Sequence, residues 1–598
     1  ISIGGEPHLC KGVYALFAAQ PCSRPAVYGG FVWRSKLHSS PTPFTGFPSA
    51  GLSHRTVERR EPRRRELGKN VQPRPPSPGS PAANRPLPTE WERCTHNFAS
   101  PAVPNYRAST QEILDRRLAL GSTQRFGRVN NLARPAVTRA RRALALLLLA
   151  LRGGLPLAAA EGDKPKRPHI VVFLSDDHTL RDSSLYGSRE LATPNMERLA
   201  AAGMTFDRAF VVSPSCAPSR AALLTGLMPA RNGAEANHSR PRKEIKKLPA
   251  YFQELGYEVV AFGKVGHYKQ TPEYGWDHAA HFNYHEDVCV EKSIEWLRKR
   301  ESEKPLCLFV GTNWPHVPWP EAEAYKPGEL TVPANHVDTP RTRQARAKYY
   351  EAVRTMDADL GRVYDAAREK LGDDVLFLHT SDHGAQWPFG KWTLYDDGIR
   401  TPLIVSWPGR IEEGTRSGAF TTWVDILPTL LEAAGGAAPA EIDGRSFLPV
   451  LRGEAESHRE QVFTTHSGDG NFNVYPARSV RTERWKYIRN LHPEYKFTSH
   501  ITSAGRSGEY WSSWERLAAK DWAAARIVGR HSRRPAEELY DLEADPLEQK
   551  NLAAEPAHAA VLAELRTALD GWLKEQGDTQ QVFGEPQLLE GEAGKRED

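Results

Sequence analysis

Several short stretches of this sequence hold side chains whose types and spacing suit chemistry. Cys216, Pro218, Ser219 and Arg220 stand in the pattern C-x-P-S-R, followed by a helical run that ends at Gly226. A cysteine just before a helix is either a nucleophile or a small buried apolar residue. Asp176 and Asp177 are adjacent, and Asp382 with His383 repeats the theme later in the chain. Neighbouring carboxylates repel, and a divalent cation removes that cost; the plainer alternative is a helix N-cap beside a solvated neighbour. Lys264 and His267 are spaced K-x-x-H, His316 lies in the run NWPHVPWP, and Lys391 closes FGK. Lys264 and His267, alone, are as well explained by a surface loop, whereas the Pro- and Trp-rich setting of His316 favours a functional role.

The elements around them are what unite them. Residues 170–174 form a short continuous apolar run, the pattern of a strand buried on both faces in a parallel sheet. Asp176 and Asp177 follow its carboxyl end, where open α/β sheets bind ligands. Residues 257–262 and 306–310 are two more such runs, ending before Lys264 and His267 and before His316. Residues 375–378 form a fourth, ending in Ser381-Asp382-His383-Gly384. Thr193-Pro194 starts a helix closed near Gly203, with Thr193 as N-cap, and TFDRAFVV reads as a strand leading to Cys216. Helices are expected over 248–255, 342–369 and 421–435, and an amphipathic one over 561–574. ARSVRTERWKYIRN alternates as a strand pair around a turn. Leu199 and Met204 are core residues with no cofactor role. Pro315 and Pro318 fix the loop around His316, where Trp314 and Trp319 either wall a sugar site or cover the core.

Taken together, C-x-P-S-R with its helix, the SDD and SDHG strand ends, the P-H loop and the closing ELYDLEADPLEQKNLA resemble the type I sulfatases. The resemblance spans about residues 168–576. It implies an α/β fold, an alkaline-phosphatase-like α/β/α sandwich with a smaller C-terminal antiparallel sheet subdomain. It also implies that Cys216 is oxidised to formylglycine by a formylglycine-generating enzyme, the one required protein partner. A thiolate attacking a sulfate ester would leave sulfur bonded to sulfur with no easy exit. A hydrated aldehyde has two hydroxyls, one to attack and one to expel sulfate as the carbonyl re-forms.

By the same resemblance Asp176, Asp177, Asp382 and His383, with an oxygen of modified Cys216, hold one divalent cation. Many relatives have asparagine where His383 stands. Calcium prefers oxygen donors and is the expected ion, whereas manganese or zinc would tolerate the imidazole. Arg220 and Lys264 would steady the hydrate. Lys391 and His316 would hold sulfate, His316 would protonate the departing amine or alcohol, and His267 is the candidate base for sulfate release. THSGDGNFNVYPARSV and RWKYIRNLHPEYKF look most like the heparan N-sulfatase (N-sulfoglucosamine sulfohydrolase) branch, which implies a sulfated saccharide of glycosaminoglycan type. Trp314 stands where that branch tends to have an acidic residue, so N- and O-sulfate both stay open. A phosphodiesterase or phosphonate monoester hydrolase of the same superfamily, and a non-catalytic binder of sulfated glycans, are the other readings.

Composition divides the chain. Residues 1–160 carry 24 Lys and Arg against 8 Asp and Glu, while the whole chain has a net charge of +6. The basic excess therefore belongs to the leader, and the acidic remainder gives no ground for nucleic-acid binding. Residues 1–136 lack apolar periodicity and read as disordered, or as lying upstream of the true start, since the first methionine is Met196. Residues 137–160 have an arginine flank, an apolar run and the small residues Ala158, Ala159 and Ala160, the plan of an export signal. The run is shorter than the ~20 residues of a membrane span. A periplasmic or secreted protein without a stable membrane anchor is expected. The catalytic unit is placed at 161–455, with 456–598 as a C-terminal subdomain and tail. Cys289 and Cys307 read as unpaired structural cysteines.

Overall fold

A computed structural model describes residues 167–282, 288–502 and 509–589. The leader 1–136 and the export segment 137–160 lie outside the described residues. Ten strands precede the smaller sheet: β1 (His169–Ser175), β2 (Met204–Phe206), β3 (Ala209–Phe210), β4 (Glu258–Gly263), β5 (His278–Ala280), β6 (Leu306–Gly311), β7 (Val375–Ser381), β8 (Leu403–Ser406), β9 (Thr415–Ser417) and β10 (Thr421–Thr422). Eight of them form one sheet in the order β5-β4-β6-β1-β7-β8-β2-β9. From β5 to β7 the pairing is parallel, with Phe173 between Val310 of β6 and His379 of β7. β8 runs antiparallel to β7. Strands flanked on both sides and covered above and below have no polar face, which is why HIVVFLS is buried over its last six residues.

Helices Pro194–Ala201, Val288–Lys299 and Pro340–Leu371 pack on one another, as do Cys216–Thr225, Leu248–Glu254 and Ile426–Ala433. The sheet lies between these two layers, the expected α/β/α sandwich. Thr193 precedes its helix with Pro194 at the first turn, but its side chain does not cap it. The Thr193 hydroxyl pairs with Ser184 instead, at 3.0 Å. Asp357, on the long helix, accepts from the backbone N–H groups of Asn195 and Met196 at 3.0 and 2.8 Å. A full carboxylate charge answers the positive end of the helix better than a hydroxyl does. The segment read as one strand before Cys216 is split at Asp207. β2 joins the large sheet, and β3 pairs with β10.

Residues 421–435, read as one helix, are a strand end, a tight turn and then the helix Ile426–Ala433. Thr422 and Asp425 form a capping box around that turn. Asp425 is fully buried and also accepts from Arg445 N–H at 2.8 Å and Arg459 Nε at 2.8 Å, with His458 Nε2 at 3.1 Å. Burial opposes its charge, yet Arg459 and His458 hold its carboxyl down at about 2, below the ordinary 3.8. A carboxylate depressed in the folded state contributes stability that is complete above pH 3.8 and is lost as pH falls through 2. Asp425 should contribute about 2 kcal/mol over that window. Urea unfolding of wild type and Asp425→Asn between pH 5 and pH 2 checks this: the difference between them should shrink as pH falls.

β11 (Val462–His466), β12 (Ala477–Arg481), β13 (Trp485–Asn490) and β14 (Glu537–Asp541) make a separate four-stranded antiparallel sheet. Their alternation sets two faces. Val480, Tyr487 and Leu539 meet Leu562, Leu565, Leu569 and Leu573 of the helix Ala559–Gln576. On the other face Arg481 and Lys486 grip Asp396 of the large unit at 3.0 and 2.5 Å. β11 ends beside the loop that feeds Cys216, with Thr465 N–H bonded to Val212 O and His466 Nδ1 3.3 Å from Ser215 Oγ. Cys289 and Cys307 are both buried. Among the described residues no helix is long and apolar enough to cross a membrane.

Candidate active site

Parallel strands put their carboxyl ends on one edge, and that edge gathers Asp176 after β1, Lys264 after β4, His316 beyond β6 and Asp382 after β7. Close approach there needs glycine. Gly263 has φ +79°, and a Cβ on it would lie 2.2 Å from Gly311 O. Lys264 N–H donates to that same carbonyl at 2.8 Å, which fixes where its long side chain starts. Asp177 also has a positive φ, 68°, a conformation a non-glycine residue holds only when its surroundings enforce it. Its N–H donates to Asp382 Oδ1 at 3.1 Å.

Cys216 is the first residue of a helix whose ten residues are all buried. Its Sγ lies 3.1 Å from His383 Nε2, 3.5 Å from Lys264 Nζ and 3.9 Å from Asp176 Oδ1. Arg220, one turn on, faces the same way and bonds Asp382 Oδ2 through Nε at 2.9 Å. Its Nη1 and Nη2 are buried with no hydrogen-bond partner, an unmet demand that an oxyanion would satisfy. Burial pushes the Cys216 thiol up to about 11 in spite of Lys264 and Lys391. Reactive cysteines show the opposite shift. The thiol rather than the thiolate is the form these surroundings favour.

The two adjacent aspartates are fully buried and divide their partners. Asp176 takes Lys264 Nζ at 2.5 Å, and Asp177 takes Lys391 Nζ at 2.8 and 3.0 Å. Burial works against both charges. At Asp176 the lysine, His316 and Arg220 prevail and hold the carboxyl well below its usual range. At Asp177 burial, helped by the charge of Asp176, prevails over Lys391 and His383 and pushes it up to about 7. With the protein's own cations alone, the pair does not carry two full charges at neutral pH, and a divalent cation would complete it. Ligand atoms of Asp176, Asp177, Cys216 and His383 all lie within 4.8 Å of one another, so the residues present fit such an ion. Asp382 stands just behind these four, 3.5 Å from His383 Nε2, with its oxygens engaged by Arg220 and Asp177 N–H.

A cavity of about 360 Å³ opens over Cys216, within the range of small-ligand sites. Cys216, His267, His316 and Lys391 line it, Lys264 reaches Cys216 Sγ from beneath, and Arg220 is not in the lining but is bonded to Asp382. Burial, then the charge of Lys264, holds the His267 imidazole well below its usual value and leaves it able to accept a proton. Burial, then Lys391, does the same to His316. His316 Nδ1 lies 2.6 Å from Val317 O, and Nε2 lies 3.7 Å from Asp177 Oδ2. Trp319 does not wall the cavity. It bonds Pro315 O and stacks on Trp387 with ring centres 5.0 Å apart, as part of the core. The walls come instead from Val317 and Pro318, with Tyr268, Trp392, Asn237, Gln386, His238, Asp469 and His500. None of these last seven was singled out in the sequence. Apart from Tyr268, which opens the short helix Tyr268–Tyr274, they sit on loops, where no periodicity marks them, and only the Gly468-Asp469-Gly470 turn gives any local sign.

The sulfatase family model matches residues 168–437, and a model of the C-terminal region of N-sulphoglucosamine sulphohydrolase matches residues 383–498. An ulvan-active sulfatase of Formosa agariphila is 32% identical over 422 residues, covering 69% of this chain and 81% of its own. Human N-sulphoglucosamine sulphohydrolase is 28% identical over 474 residues, covering 69% and 91%. A solved structure described as a complex with D-glucosamine-2-N,6-O-disulfate superposes with a TM-score of 0.54 at 21% identity, over 69% of this chain and 99% of that one. The fold is thus that of known sulfatases, and the C-x-P-S-R motif stands beside Asp176 and Lys264 at the strand ends. This chain belongs to the sulfatase family, and it is a hydrolase of sulfate esters or sulfamates.

Proposed function

We propose that the protein removes sulfate from a sulfated saccharide of glycosaminoglycan type, through formylglycine made from Cys216 and one divalent cation. The observation that carries this reading is the buried thiol set among two carboxylates, His383 and Lys264. A thiol so placed would need conversion before it could act as the nucleophile. Its aldehyde hydrate would supply both a nucleophile and the means of expelling sulfate. A cation held by Asp176, Asp177 and His383, with Asp382 beside them, would favour the ionised hydrate and orient sulfate oxygens; calcium is the ion we propose. Formylglycine-generating enzyme is the maturation partner, and the export segment 137–160 would deliver the protein to the periplasm or beyond.

The chain's own residues divide the remaining work. Lys264 Nζ and the open Nη atoms of Arg220 stabilise negative charge on the attacking oxygen. Lys391 holds the sulfate group, and its reach to both Asp177 oxygens fixes its position. His316 directs Nε2 to the leaving group; an anionic sulfate beside it favours the protonated ring, whose proton passes to the departing amine or alcohol. His267, kept neutral by burial, takes the proton when sulfate is released.

Sulfated glucosamine is the substrate to test first, because a family model and a curated relative both point to N-sulphoglucosamine. Sulfate release should be compared across N-sulfoglucosamine, N-acetylglucosamine 6-sulfate and ulvan fragments, with a phosphodiester and a phosphonate monoester as controls. At least one sulfated saccharide is expected to exceed both phosphorus substrates in kcat/KM by at least about 100-fold. Faster turnover of the phosphodiester would overturn the assignment.

A further inference from the structure

His238 lies outside the set of residues just assigned, and its surroundings are costly to build. It has φ 67°, a left-handed conformation that a histidine seldom adopts. Neighbouring bonds enforce it. Gln270 Nε2 donates to His238 O at 3.1 Å, Asn237 N–H donates to Gly468 O at 2.9 Å, and Asn237 Oδ1 accepts from Ala217 N–H at 3.0 Å. The segment is therefore pinned both to the start of the nucleophile helix and to the loop that bears Asp469. Asp469 lies 3.1 Å from His238 Nε2 through Oδ1, while its Oδ2 takes Trp392 Nε1 at 2.7 Å, with His500 Nε2 at 3.4 Å. The carboxylate is 2% exposed and the imidazole 59%. Both line the cavity over Cys216, where the ring offers a ligand far more surface than the acid does.

We propose that His238, oriented by Asp469, is a specificity residue that binds a hydroxyl of the sugar ring carrying the scissile sulfate. This rests on the sulfatase reading above and adds a residue that recognises the sugar itself. The chemistry selects the partner. The charge of Asp469 disfavours a second anion at this wall of the Cys216 cavity, where Lys391 is the ammonium in the lining, while Arg240 and Lys269 line the neighbouring cavity that His238 also borders. Nε2 faces the carboxylate, which leaves Nδ1 for the ligand. A hydroxyl, which both donates and accepts, matches that nitrogen. Asp469 is a positioning residue, since it acts through the ring.

The test compares kcat/KM for N-sulfoglucosamine, or for N-acetylglucosamine 6-sulfate if that is turned over faster, with kcat/KM for 4-nitrophenyl sulfate, which has no ring hydroxyl. His238→Gly suits it, because glycine accepts the positive φ and the position is exposed. The ratio of saccharide to aryl sulfate should fall about 10-fold in the variant. Deoxy sugars then locate the hydroxyl: one of them should cost the wild type the same factor and cost His238→Gly nothing more. An unchanged ratio overturns the proposal, including the case in which both activities fall equally. So does a set of deoxy sugars that lose as much with the variant as with the wild type. A wild type that cleaves the aryl sulfate and no saccharide refutes the substrate class itself, and that result is visible before any variant is made.

Discussion

Cys216→Ala is expected to lower kcat on any sulfate substrate by at least about 10⁴-fold while leaving the fold intact. In the proposed mechanism every other residue of the site acts on an oxygen carried at this position. Lys264 and Arg220 face it, and His383 lies 3.1 Å from the sulfur that marks it. Removing a covalent nucleophile leaves only binding and charge stabilisation, and units that act together lose nearly all their rate when one is removed. Alanine suits the first turn of a buried helix, so circular dichroism and the unfolding midpoint should hardly move. A steady-state assay at high enzyme concentration, with substrate still in excess, is sensitive enough to measure the loss. A variant retaining a tenth of the wild-type rate would mean that Cys216 is not the nucleophile.

Asp177→Asn carries the second large effect. Its carboxylate is shared by Lys391, His383 and His316, and it is the one pushed up to about 7. A neutral amide keeps the shape and removes the charge that both a cation and Lys391 need. We expect kcat to fall about 10³-fold. Bound divalent cation, measured by plasma mass spectrometry, should fall from about one per chain to none. Chelation of the wild type should reproduce most of the loss, and added calcium should restore the wild type but not the variant. Full activity in excess chelator would contradict the cation's role.

How much of this was legible follows from where each residue sits. Asp176, Lys264, His316 and Asp382 each follow a short apolar run, and a parallel sheet can only bring such positions to one edge. That placement could be read from period and order alone. Runs of buried strand are unmistakable because no polar face interrupts them. Their geometry could not be read: Asp382 turns its oxygens to Arg220 and Asp177 N–H, a choice made by the positive φ of Asp177. Thr193 was a reasonable N-cap by type, but Asp357 arrives from a distant helix and takes the donors.

The helices Glu509–Ala518 and Trp522–Ser532 were also missed. Their apolar residues are mostly tryptophan and alanine, and what holds them is packing on each other and against Pro340–Leu371. Asp521, accepting from Ala524 N–H at 2.7 Å, was the local start signal for the second. The wall of His238, Asp469 and His500 joins three loops distant in sequence. Only tertiary structure brings them together, whereas Trp319, conspicuous in the sequence, spends its ring on the core.

The most direct measurement is the mass of the tryptic peptide spanning residues 209–220, taken from active protein purified out of its native host. The account predicts an aldehyde at Cys216, reactive toward a hydrazide probe, in a fraction of molecules that tracks the specific activity. Active enzyme whose Cys216 is entirely an unmodified thiol would contradict it.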